Sequence, residues 1–212
     1  IQYAHARSCS VLRRLAEQQL AAGRIEESRD TARHLLRVEP LEGRGFRLLA
    51  EAATAQGEQQ QAHTLYQIAA RRTPRDVRTR AWLIEHSLVA GDFPAALQHV
   101  DALLRTSPAQ GNVLMPLLAK LAIDPSFAGA LADTLATRPP WRGNLLDNLQ
   151  RAEDPRGADQ VLSALRSAGG LNTEEFDQWI ASLIQQGRWG EAYSRWAGTL
   201  ELGQGGLPLI YN

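Results

Sequence analysis

The chain has 212 residues, 44% of them hydrophobic, enough for one large domain or two small ones whose core needs neither disulfides nor metals. Its 23 basic and 23 acidic residues cancel, so the basic excess of a nucleic-acid binder is missing. No apolar run reaches the roughly 18 residues of a membrane-spanning helix.

Of the basic residues 22 are Arg and one is Lys120, which reads either as the codon bias of a GC-rich bacterial genome or as a selected Arg-based surface. The single Cys9 cannot make an intrachain disulfide and leaves the redox compartment open. The sequence begins at Ile1 and stops at Tyr211-Asn212 in an apolar run. Both ends read as cut from a longer protein, and the compartment stays open between cytoplasm and periplasm.

From the N-terminus the dominant signal is a period of 34 residues. Gly23, Gly57 and Gly91 keep it, as do Pro40, Pro74 and Pro108, the small residues Ser28, Ala62 and Ala96, and Leu15, Leu49 and Leu83. Each Gly lies between two apolar-periodic stretches, where a helix must end and the chain must turn through the left-handed region. Each Pro follows the second helix and cannot continue it. The small residue falls where the two helices cross, and the Leu is expected to point into the hairpin. The three units run over 9–42, 43–76 and 77–110.

Beyond Pro108 the strict period is lost but helices continue. A helix is predicted over 112–122. Asp124-Pro125 supplies an N-cap and a proline at the first helical position for a helix to about Thr137. Pro139-Pro140 breaks it, and 141–152 forms the next. Asp154-Pro155 repeats the start signal for a helix ending at Gly169-Gly170. Asn172-Thr173-Glu174-Glu175 is a capping-box start, followed by a hairpin over 173–186 and 189–202 that turns at Gly187. There Ala192 restores the five-residue offset from glycine to small residue. The chain thus divides into 1–110, 111–203 and 204–212. The last stretch reads as a linker, either a tail on the final hairpin or the first strand of a following β domain. About twelve helices and no strand are expected.

These columns resemble the tetratricopeptide repeat family, with Phe46 and Tyr66 in its aromatic columns and Leu12 and Arg80 replacing the first-helix aromatic. The resemblance implies an all-α, right-handed superhelical solenoid whose first helices line a concave, partner-binding groove. It places groove contacts at repeat positions 2, 5, 9 and 12. Position 2 holds Ser10, Arg44 and Arg78; position 5 holds Arg13, Arg47 and Ala81; position 9 holds Glu17, Glu51 and Glu85. Arg13–Glu17 and Arg47–Glu51 are i,i+4 pairs, expected as exposed pairs beside a groove that takes a peptide of complementary charge. Glu and Arg here do not match the Asn and Lys of the chaperone-tail-binding members.

Aromatic residues concentrate near the C-terminus. Trp189, Tyr193 and Trp196 fall at i, i+4 and i+7 and are expected to pack inward against Phe176 and Trp179. Left exposed, Trp179, Trp189, Tyr193 and Trp196 would form an anchor patch for a partner or a sugar. Trp82 and Trp141 read as core or inter-hairpin filler. His5, His34, His63, His86 and His99 show no metal-ligand spacing, and no phosphate loop, dinucleotide fingerprint or nucleophile elbow occurs. The sequence therefore reads as a non-enzymatic scaffold without a cofactor, binding a protein or peptide. The alternatives are a spacer or dimerisation module, or an accessory module of an exopolysaccharide or cell-envelope system.

Overall fold

The structure is a computed structural model that describes residues 2–198, with side chains from Ser8. The tail 204–212 and the last residues of the predicted final helix lie outside the described residues. Among the described residues there are twelve α-helices and no strand. In order they are α1 (Gln2–Ala21), α2 (Ile25–Val38), α3 (Gly43–Ala55), α4 (Gln59–Arg72), α5 (Val77–Val89) and α6 (Phe93–Thr106). A short 3-10 turn over Pro108–Gln110 leads to α7 (Gly111–Leu121), α8 (Pro125–Ala136), α9 (Arg142–Gln150), α10 (Arg156–Ser167), α11 (Thr173–Gln185) and α12 (Trp189–Ala197). None of them is long and apolar enough to cross a membrane.

The chain forms two compact units. One contains the residues up to Leu114 with Pro139–Trp141; the other contains Met115–Arg138 and the residues from Arg142 onward. In the first unit, α1 packs with α2, α3 with α4 and α5 with α6, and each pair meets the next through α2–α3 and α4–α5. In the second unit α11 pairs with α12, whereas α10 packs chiefly on α8 rather than on its sequence neighbour α9.

The turns follow from glycine. Gly23, Gly57, Gly91 and Gly187 have φ of 74°, 78°, 73° and 75°. At Gly57 the amide of Glu58 reaches back to the Ala53 carbonyl at 2.9 Å and that of Gly57 to Thr54 at 3.0 Å, the paired bonds of a Schellman motif. No atom lies within 4 Å of where a Gly57 Cβ would sit, so a side chain there meets only backbone strain. Gly57→Val is therefore expected to lower stability by about 1–2 kcal/mol. A chemical denaturation midpoint unchanged from the parent would show that this glycine is dispensable.

Packing follows from small residues. Ser28, Ala62, Ala96 and Ala192 are all buried. Ser28 satisfies its hydroxyl by donating to the Ala16 carbonyl at 2.9 Å. Gly45 lets α3 sit directly on α2, since a Cβ there would lie 2.8 Å from Leu36 Cδ2. The leucine column behaves unevenly. Leu83 is buried, Leu49 partly so, and Leu15 is 41% exposed, against the expectation that all three point into a hairpin. On α1 the inward position falls instead to Ala16, which clusters with Ala32 and Leu48.

Two caps match their sequence signals, whereas α10 begins at Arg156 with Pro155, not Asp154, at its N-cap. Asp124 accepts from the amides of Ser126 and Phe127 at 2.8 and 2.9 Å. Asn172 and Glu175 form a reciprocal capping box. The end of α8 departs from the glycine rule: Arg138 takes φ 56° ahead of Pro139.

Candidate functional site

The predicted groove residues are placed by α1, α3 and α5. Their centre is Arg47 on α3, only 3% exposed. Its Nη1 donates to Glu51 Oε1 at 2.6 Å, one turn along the same helix. Its Nη2 donates to Glu17 Oε1 on α1 at 2.8 Å. Its Nε lies 3.0 Å from Asp76 Oδ2, an ionic contact without hydrogen-bond alignment. Asp76 is the N-cap residue of α5 and also accepts from Thr79 Oγ1 at 2.8 Å.

This corrects the expected pairs on a solvated face. Glu17 is drawn to the arginine of the next repeat, and Arg47 is enclosed by its own helix, α1 and the cap of α5. Burial opposes the guanidinium charge, and Glu51, Glu17 and Asp76 more than restore it, so its pKa is held above the ordinary value. One cation faces three carboxylates, which leaves the node with an excess of two negative charges when all are ionised. Of the other predicted groove residues, Ser10 and Arg13 are half-buried, and Arg44, Arg78 and Glu85 are exposed.

Asp76 was missing from the predicted set. Its signal was present: it stands 34 residues after Glu42, which caps α3 by accepting from the Arg44 amide at 3.2 Å. Capping residues before α3 and α5 thus share the 34-residue register of the predicted groove positions.

A second constellation lies between α4 and α5. Tyr66 stacks on Trp82 with centroids 4.2 Å apart, and Trp82 stacks on His86 at 4.7 Å. His86 in turn stacks on His63 at 4.8 Å. Burial, and then the adjoining His86, push the His63 pKa down. Burial first, and then Glu51, push the Tyr66 phenol up to about 12. Trp82 is thus inter-hairpin filler, as expected, but the ring column around it joins helices that no single-helix periodicity connects. Trp141 is buried, and its Nε1 donates to Asp101 at 2.9 Å.

In the second unit sequence reasoning overlooked Arg142. It is buried and grips Glu175 with two charge-assisted bonds, Nε to Oε1 at 2.7 Å and Nη2 to Oε2 at 2.6 Å. It also donates to the carbonyls of Leu135 and Gly170.

The aromatic stripe is a second correction. Trp179 is buried at 2% exposure, but Trp189, Tyr193 and Trp196 are 63%, 56% and 47% exposed. Ala192, at the edge of the stripe, is buried among the described residues of α12, whereas the three rings stay largely exposed. Trp179 meets α12 through Arg195, whose guanidinium lies 4.6 Å from the indole centroid. Phe176 meets Trp179 edge-on at 6.3 Å and carries the Arg166 guanidinium at 4.8 Å. A cleft of about 320 Å³ lies beside them, lined by Arg166, Asn172, Asp177 and Trp196 among others.

Among the described residues no three His, Cys, Asp or Glu side chains converge as metal ligands would. No protein-family model matches the chain, and no curated protein matches it.

Proposed function

We propose that the chain is a non-enzymatic scaffold that binds a protein segment along the faces of α1, α3 and α5. In this reading the three 34-residue units stack as a right-handed, tetratricopeptide-like solenoid, and their first helices form the concave surface. The observation that carries it is the charge arrangement. Arg44, Arg78 and Glu85 are exposed on α3 and α5, and a buried arginine on α3 holds Glu17, Glu51 and Asp76 in place. Fixed charges lose little conformational entropy when a partner arrives, so they set register and association rate more than bulk affinity. The partner is an extended or helical segment carrying both signs of charge.

Arg47 cannot test this, because its loss would damage the fold. Arg44 and Arg78 can, since both are exposed. The double variant Arg44→Glu/Arg78→Glu is expected to keep its helical circular dichroism and to lose partner capture from an extract of the source organism. Capture by the parent is expected to weaken as salt rises. An identical set of captured proteins from parent and variant would remove the groove from consideration.

A further inference from the structure

In the first unit three histidines from three helices, His63 on α4, His86 on α5 and His99 on α6, gather near Arg80. Arg80, also on α5, is half-buried. Its Nη1 donates to His99 Nδ1 at 3.0 Å, and its Nη2 donates to the Ala70 carbonyl of α4 at 3.3 Å. Its Nε is buried without a hydrogen-bond acceptor. Arg80 thus ties α5 to both of its neighbours without the help of a carboxylate. Close by, the His63 and His86 rings lie face to face, 4.8 Å between centroids and 28° between planes.

Chemistry fixes the protonation of this seam. A guanidinium donates hydrogens and accepts none, so His99 Nδ1 must accept. The ring is therefore neutral, with its hydrogen on Nε2. A second proton would go to Nδ1, where it would replace the bond by two cations 3.0 Å apart. The His63–His86 stack has the same property, since neutral rings stack and two imidazoliums repel. Carboxylates could absorb the charge, but those of the packed helices are engaged elsewhere or exposed. Arg47 holds Glu51 and Asp76, Asp92 caps α6, Asp101 takes Arg105 and Trp141, and Glu85 is exposed. Arg71, Arg72 and Arg78 are exposed cations, and the Tyr66 phenol, pushed up to about 12, stays neutral. Among the described residues no carboxylate pairs with Arg80 or with any of the three histidines.

We propose that the α4–α5–α6 seam is a proton-released latch, closed while its imidazoles are neutral and loosened when weak acid charges them. The reading does not depend on a partner-binding groove. Burial first, and then Arg80 and His63, hold the His99 pKa below its ordinary 6.5. Burial and His86 do the same for His63. The loosened seam therefore binds protons at a pH where the closed seam does not. Closure is fully favoured above the ordinary histidine value and weakens as pH falls through the lowered ones. Native carboxylates titrate lower, around ~4, so between about pH 7 and about pH 5 the histidines act alone.

Amide hydrogen exchange of the whole chain across that interval, corrected for the intrinsic effect of pH on exchange, tests this. The amides of α5 and α6 are expected to lose protection, by up to about tenfold per pH unit for each proton the loosened seam takes up, while those of α2 and α8 keep theirs. His99→Asn places an amide oxygen near the position of Nδ1, which accepts from Arg80 at any pH. His63→Phe with His86→Phe keeps the stack and removes its charge. The three changes together are expected to abolish the loss. Imidazole nitrogen chemical shifts read the parent without any substitution, and His99 is expected to carry its hydrogen on Nε2 at neutral pH. Unchanged protection of α5 and α6 in the parent overturns the proposal. So does a loss shared equally by α2 and α8, or a hydrogen on His99 Nδ1 at neutral pH. A triple variant that folds by circular dichroism and still loses protection in acid overturns it as well.

Discussion

Arg47→Glu is expected to collapse the first unit's stability. The substitution removes the cation among Glu17, Glu51 and Asp76 and adds a fourth carboxylate at a position only 3% exposed. Breaking a buried ion pair by removing one partner costs about 3–5 kcal/mol, because the remaining charges stay uncompensated. For a chain of this size each kcal/mol moves the midpoint by roughly 2–4 °C, so a fall on the order of 6–20 °C follows. The partners are partly open to solvent, which places the effect toward the lower end and makes it salt-sensitive. Arg47→Met, which removes the cation without adding an anion, should fall less. Thermal melts followed by circular dichroism in low and high salt decide the matter. An unchanged Arg47→Glu midpoint would mean that the node is solvated after all.

Removing Arg142 should have an effect of the same order and a distinct pH signature. Arg142→Ala strands the Glu175 carboxylate and two main-chain acceptors, the carbonyls of Leu135 and Gly170. The expected loss is again about 3–5 kcal/mol at neutral pH. Burial works to raise the Glu175 pKa, but the bonds from Arg142 and the Asn172 amide outweigh it and hold the carboxyl below its usual range. Between that lowered pKa and the unfolded value near ~4.3, the unfolded chain binds the proton and the folded chain does not. Stability from this pair is therefore fully present above the unfolded value and is lost as pH falls through the folded one. The gap between parent and Arg142→Ala midpoints should be constant from neutral pH down to about 5 and shrink in stronger acid. A gap that does not change with pH would assign the loss to packing rather than to the ion pair.

Local chemistry was legible in the sequence. Gly23, Gly57, Gly91 and Gly187 mark the turns because a left-handed residue is a property of one position and its nearest neighbours. Asp124 and the Asn172–Glu175 box mark helix starts for the same reason. The small-residue column of Ser28, Ala62, Ala96 and Ala192 is legible because two helices can cross closely only where neither carries bulk. The all-α class, the number of helices and most of their boundaries follow from these signals.

Burial and pairing across helices were not legible. An Arg four residues before a Glu reads as a surface pair, and nothing within α3 announces that Glu17 and Asp76 will enclose Arg47. Arg142 finds its carboxylate 33 residues away, outside any repeat column. Trp189, Tyr193 and Trp196 form an apolar stripe that periodicity can detect but not orient. A helix carries its stripe wherever it goes, and only the packing of α12 through Ala192 turned those rings to solvent. Most helix starts, turns and ends could be read from the residues alone, because those are short-range backbone matters. The tertiary structure alone decided which charges are buried and which rings are open, because burial depends on neighbours that the chain brings together only when it folds.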